Sequence, residues 1–172
     1  MQNYTSKNTS VNSAKLPAVY RKAKLSAPFV IDYGCGKYTA HISEEMEKRG
    51  VFYLPYDPYN QTERVNRKTM EMLRKCCDYG IRTDVICSNV LNVIDDDRTV
   101  LFIAETIENI VEKTGGIAYI TVYEGNRSSV GRRTGSDQYQ RNEPLRNYLR
   151  FFRNATIKNE MIMVERLPLH LQ

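Results

Sequence analysis

The feature that most constrains this chain is a repeated alternation of short apolar runs with helical-period segments ending in glycine. FVIDYG (29–34) precedes YTAHISEEMEKRG (38–50), VFYLPYD (51–57) precedes TERVNRKTMEMLRKCCDYG (62–80), and TDVICSN (83–89) precedes RTVLFIAETIENIVEKTGG (98–116). The apolar runs are short and rich in branched and aromatic residues, so they read as strands; the segments between them carry amphipathic helical spacing and glycine stops. In the second helix Val65, Met70, Leu73 and Cys77 supply the predicted apolar face. GIAYITVYEG (116–125) reads as a fourth strand. Then come a glycine- and arginine-rich loop, NRSSVGRRTGSDQYQRN, a helix around EPLRNYLRFFR (143–153), and a last strand, EMIMVERL (160–167). Regular strand–helix alternation requires parallel pairing through right-handed crossovers, which predicts an α/β fold with a Rossmann-like, doubly wound, mostly parallel sheet.

A chain of 172 residues with 41% apolar and 26% charged residues is expected to form one domain. Residues 1–15 are polar and basic and read as a disordered tail. The domain then spans 16–172 and opens on a short helix after Pro17. The N-terminus lacks the apolar core of a signal peptide, and no run approaches a membrane span, so a cytoplasmic location without membrane contact is expected. Cysteines at 35, 76, 77 and 87 form no CxxC pair, which suits reduced thiols; with only His41 and His170 beside them, no metal site is expected. The net charge of +5 is concentrated in two places. Residues 1–31 hold five basic side chains and no acid, and residues 127–153 hold seven arginines against Asp137 and Glu143. The basic segments 15–24 and 127–153 make nucleic acid a possible partner, against the alternative of a solvated surface.

In a doubly wound sheet, ligands bind beyond the carboxyl ends of the strands. The first of these ends reads Asp32-Tyr33-Gly34-Cys35-Gly36-Lys37-Tyr38-Thr39. A dinucleotide loop would be GxGxxG, and here the third glycine is absent. Asp32, two residues before the first glycine, would repel a pyrophosphate and favour the ammonium and sulfonium of S-adenosylmethionine. The two glycines would let the methionine part approach the backbone. Asp57 ends the second strand, where a carboxylate can accept two ribose hydroxyls, and Pro58 and Tyr59 could pack on adenine.

These stretches, IDYGCGKYTAHI, YLPYDPYN and TDVICSNVLNVIDD, resemble the first, second and fourth motifs of class I S-adenosylmethionine-dependent methyltransferases over residues 28–125. SNVLNVIDDDRTVLF and RRTGSDQYQRNEPLRNYL are further similar to methyltransferases associated with DNA phosphorothioation. The resemblance implies that Asp32, Tyr33, Gly34, Cys35 and Gly36 cradle the methionine end and Asp57 and Pro58 the nucleoside. Ser88 and Asn89 would line the far side. The family's third acid, which touches the adenine amino group, has no counterpart. Asp78 lies near a helix end and Asp84 near a strand start, so a sheet shortened by one strand is expected.

Methyl transfer is an in-line displacement that depends mainly on alignment, and a general base is optional. Ser88-Asn89-Val90-Leu91 lacks the Pro-Pro-aromatic sequence of enzymes that methylate exocyclic base amines, and Cys35 and Cys87 read as small buried residues rather than nucleophiles. The acceptor, a small molecule or a nucleic-acid-linked group, is left unassigned. Tyr123 and Glu124 at the fourth strand's end are the catalytic candidates, with Asn92 where relatives place a histidine facing the acceptor. Arg132, Arg133, Tyr139 and Gln140, with Arg141, would form a substrate-binding lid. A binding module without turnover, and a nicotinamide-dependent oxidoreductase, are the alternatives; His41 is expected to be structural.

Overall fold

A computed structural model describes residues 15–135 and 138–166. The predicted tail lies almost entirely outside these residues, as does His170. The chain forms α1 (Ala18–Lys22), β1 (Phe29–Tyr33), α2 (Ala40–Lys48), β2 (Phe52–Tyr56), α3 (Glu63–Asp78), β3 (Thr83–Ser88), α4 (Asp97–Thr114), β4 (Ala118–Thr121), β5 (Arg132–Gly135), β6 (Gln138–Gln140), β7 (Ala155–Lys158) and β8 (Met161–Val164). Six strands make one mixed, mostly parallel sheet in the order β2-β1-β3-β4-β8-β7, with helices on both faces. The architecture is α/β and compatible with a Rossmann-like fold.

The apolar runs explain the centre of the sheet. Val30, Ile31, Val85, Ile86, Cys87 and Ile120 are fully buried, because strands β1, β3 and β4 are covered on both sides. Ile31, Val85 and Ile120 face α3, α4 and the 3-10 helix Leu145–Phe151, while Val30, Ile86 and Tyr119 face α1 and α2. Each fully buried aliphatic side chain contributes about 1.5–3 kcal/mol, so slipping one of these strands by a residue would forfeit several such terms. Helix α4 buries Val100, Ile103, Ala104, Ile107, Ile110 and Val111, the spacing of one helical face; Asp96 caps its start by accepting from Thr99 N at 3.0 Å.

Four elements differ from the sequence expectation. EMIMVERL is not a lone strand: β7 and β8 form an antiparallel hairpin, and β8 runs antiparallel to β4. The stretch around 143–153 is a 3-10 helix rather than an α-helix. Part of the arginine loop folds as the β5–β6 hairpin. Helix α3 turns Thr69, Leu73 and Cys76 inward; Met70 is exposed and Cys77 only partly buried.

Thr69 points inward because β2 is the edge of the sheet. At that edge Pro55 has no N–H to satisfy, and its carbonyl accepts from Thr69 Oγ1 at 2.7 Å. Asn66 closes both peptide groups of Asp57: Asp57 N donates to Asn66 Oδ1 at 3.1 Å, and Asn66 Nδ2 donates to Asp57 O at 2.9 Å. Side chains of α3 thus take the bonds that a further strand would have made. Asn66→Ala is expected to lower stability by about 1–3 kcal/mol, the cost of two lost bonds to a strand end, read as an earlier urea midpoint at unchanged slope. An unaltered midpoint would show that water serves the edge equally well.

Candidate cofactor cleft

A cleft of about 1480 Å³ lies beyond the carboxyl ends of β1 to β4, over the point where strand order reverses between β1 and β3. The β1–α2 loop forms its floor. Gly34 N and Cys35 N both donate to Tyr56 O, at 2.7 and 3.1 Å, binding this loop to the end of β2. Gly34 has φ +92°, and a Cβ there would stand 2.3 Å from Val90 Cγ2, so the backbone runs closer to the β3 loop than any side chain permits.

Asp32 is 4% exposed and lines the cleft, yet its carboxylate is not free. Tyr20 Oη donates to Asp32 Oδ2 at 2.6 Å and Tyr53 Oη at 2.9 Å. Burial pushes the Asp32 carboxyl up to about 6; the two hydroxyls pull it down and the Asp57 charge raises it further. The folded chain therefore holds a proton at pH values where the unfolded chain has released it. Its stabilising contribution is complete below about pH 4 and lost as pH rises through about 6. Urea midpoints of wild type and Asp32→Asn across that range should diverge in favour of the variant as pH rises; parallel curves would mean that Asp32 does not titrate there.

Asp57 is also engaged. Its Oδ1 accepts from Tyr59 N (2.9 Å), Asn60 N (2.9 Å) and Asn60 Nδ2 (3.1 Å), and its Oδ2 accepts from Gly36 N (3.0 Å). Three donors crowd Oδ1, while Oδ2 carries one and keeps capacity for another. Asp57 thus clasps the two loops of the cleft floor and leaves Oδ2 alone for a further donor. Gln61 adds a bond from Nε2 to Gly36 O at 2.6 Å. Pro58 and Tyr59 border the cleft, and Tyr33 packs against Tyr56 with centroids 4.9 Å apart and ring planes tilted by 38°. Burial pushes the Cys35 thiol far up, which disfavours the thiolate, and Cys87 is shifted the same way inside β3.

On the far wall Ser88 Oγ and Thr121 Oγ1 share a hydrogen bond of 2.9 Å. Asn89 takes a left-handed turn at φ 58° with its N–H on Thr121 O. Strand β4 ends at Thr121, so Tyr123 and Glu124 stand in the following loop rather than in the strand. Tyr123 is 64% exposed at the cleft. Glu124 is committed: Oε1 accepts from Leu145 N at 2.6 Å at the start of the 3-10 helix, and Oε2 pairs with Arg127 at 2.6 Å. Asn92 does not face the cleft. It is 2% exposed and donates from Nδ2 to Gln140 Oε1 at 3.1 Å, so this catalytic candidate anchors β6 instead of reaching an acceptor. His41, at the start of α2, borders the cleft with its Nε2 buried and without a hydrogen-bond partner.

The substrate candidates divide. Arg132, Tyr139 and Gln140 line a second cavity of about 410 Å³ that shares Val93, Tyr123 and Gly125 with the main cleft. Exposed Arg133 lines neither. Arg141 is no lid residue: it is 5% exposed and holds Asp97 at 2.6 Å and Glu143 at 3.1 Å. Much of the predicted basic surface is neutralised in the same way, by Arg150–Glu143 (2.6 Å), Arg153–Glu108 (3.0 Å) and Lys22–Glu160. Among the described residues no cluster of histidine, cysteine or acid could hold a metal ion, and no helix is long and apolar enough to cross a membrane. Sequence reasoning missed Tyr20 and Tyr53, which hold Asp32, and Phe102, which borders the cleft from α4; no local pattern marks them.

No protein-family model, curated protein or solved structure matches this chain.

Proposed function

We propose that the cleft binds S-adenosylmethionine and that the chain transfers its methyl group, in the manner of a class I methyltransferase with a shortened sheet. The observation that carries this reading is a buried carboxylate, Asp32, at the rim of a two-glycine loop over the reversal of strand order. With Asp57 beside it, that floor disfavours a pyrophosphate and tolerates a cation. The residues fit the group. Gly34 and Gly36, both at positive φ, let the loop turn tightly along the cleft floor, and Tyr59 offers a half-exposed ring beside Pro58. When bound, the cofactor would supply an electrophilic methyl carbon for in-line displacement by the acceptor's electron pair, with its thioether as the leaving group. The chain's part is to orient the acceptor and exclude water. Glu124 is already paired, so the acceptor must arrive as a competent nucleophile or release its proton to solvent.

A binding-only role is the second reading, favoured by the internal bonding of Asp57 and Glu124. Thermal melts separate these readings from a nicotinamide enzyme. At about a hundred times Kd, S-adenosylmethionine or its demethylated product should add about 2.7 kcal/mol, a rise of several degrees, and NAD none. Stabilisation by NAD alone would overturn the assignment. Binding without loss of labelled methyl to any acceptor offered would favour the second reading.

A further inference from the structure

The side cavity and the main cleft meet at Tyr123, and what surrounds that ring narrows the class of acceptor. Six aromatic side chains are strongly exposed among the described residues. Four of them, Tyr38, Tyr59, Phe102 and Tyr123, border the main cleft; Phe52 and Tyr79 do not. The cleft is also larger than the roughly 300–1000 Å³ that one drug-sized ligand occupies. There is room, and stacking surface, for a second planar molecule beside a cofactor.

The side cavity adds charge and rigid polarity. Arg132 is the one charged side chain among its described lining residues. Gln140, 7% exposed, is fixed at both ends: Nε2 donates to Tyr123 O at 2.7 Å, and Oε1 accepts from Asn92. Asn142, 1% exposed, donates from Nδ2 to Val130 O at 2.9 Å, while its Oδ1 is buried against Gly125 with no hydrogen-bond partner.

We propose that this cavity is the anion-holding subsite of the methyl acceptor, a small planar aromatic molecule whose ring lies on Tyr123 and whose phosphate or carboxylate is taken by Arg132. The guanidinium fork matches both anions, and the rigid backbone under Tyr123 holds the ring surface in place. A nucleic-acid strand fits less well, because four of the seven arginines of 127–153 that would follow its backbone, Arg127, Arg141, Arg150 and Arg153, are paired within the protein. The word acceptor rests on the cofactor reading above; the subsite itself does not.

The test is a nuclear magnetic resonance titration of the full chain, followed at the side-chain amides of Gln140 and Asn142, with and without S-adenosylhomocysteine. The probes are phenyl phosphate and benzoate, their uncharged counterparts phenol and benzamide, inorganic phosphate, and a short single-stranded oligonucleotide. At least one anionic aromatic should move both amides and bind about tenfold or more tightly than its neutral counterpart and than phosphate alone, and the preferred member of the pair identifies the anion. Arg132→Gln should abolish that preference, while Arg146→Gln, in the main cleft, should leave it intact. Equal binding of charged and neutral probes, an unchanged Arg132→Gln, loss through Arg146→Gln, or tighter binding of the oligonucleotide would overturn the proposal. Calorimetry with S-adenosylhomocysteine separates the two claims. If it binds and no aromatic anion does, the subsite fails alone; if the aromatic anion binds and it does not, the cofactor reading fails alone.

Discussion

Gly34→Ala should melt about 4–20 °C below wild type and lose the proposed response to S-adenosylmethionine. Two costs add. At φ +92° an L-residue is strained by about 1–2 kcal/mol, and the new methyl group would stand 2.3 Å from Val90 Cγ2, an overpacking that costs about 1–3 kcal/mol more. The loop has little freedom to retreat, because Gly34 N and Cys35 N are both held by Tyr56 O. At about 2–4 °C per kcal/mol for a chain of this length, the sum gives the stated range. Adding Val90→Ala removes the colliding methyl groups but not the backbone strain, so the double variant should recover part of the loss; the size of that recovery measures the steric share. A Gly34→Ala protein that melts and binds like wild type would show that the loop does not hold this conformation.

The other large effect lies at the opposite end of the sheet. Asp84 is completely buried and accepts from three backbone N–H groups: Ser26 at 2.9 Å and Ala27 at 3.1 Å through Oδ2, and Ile117 at 2.9 Å through Oδ1. It therefore ties the entry to β1 and the entry to β4 onto the start of β3. Asp84→Ala should cost about 3–5 kcal/mol, because three backbone donors around a fully buried position lose a charged acceptor together. In calorimetric melting this appears as a fall of about 10–15 °C. Affinity of the folded fraction for the proposed cofactor should be unchanged, since Asp84 does not border the cleft. A fall of only one or two degrees would mean that water replaces the carboxylate easily.

These two residues show how unevenly the sequence discloses the molecule. The central strands were legible because residues buried on both faces leave nearly uninterrupted apolar runs. The β7–β8 hairpin was not. Thr156, Ile157 and Lys158 are exposed and carry no pattern, and the turn uses Asn159 and Glu160 at φ 52° and 59° where Asn-Gly would have announced it. On α3 an apolar count chose Met70 over Thr69, because the role of the threonine hydroxyl depends on a strand fourteen residues away. The glycine loop and the acids at the strand ends could be read from spacing. What those acids bond to could not: Asp32 is held from 12 and 21 residues away, and Glu124 caps a helix 21 residues on.

The closed edge at β2 makes the two flanks of the sheet unequal. Pro55, Thr69 and Asn66 leave little there for a neighbouring chain to grasp, whereas β7, with Thr156 and Lys158 turned to solvent, is the flank at which another strand could be accommodated. Within this sheet, two copies joined flank to flank about a twofold axis would cover both β7 edges, so strand addition at that flank would stop at a pair.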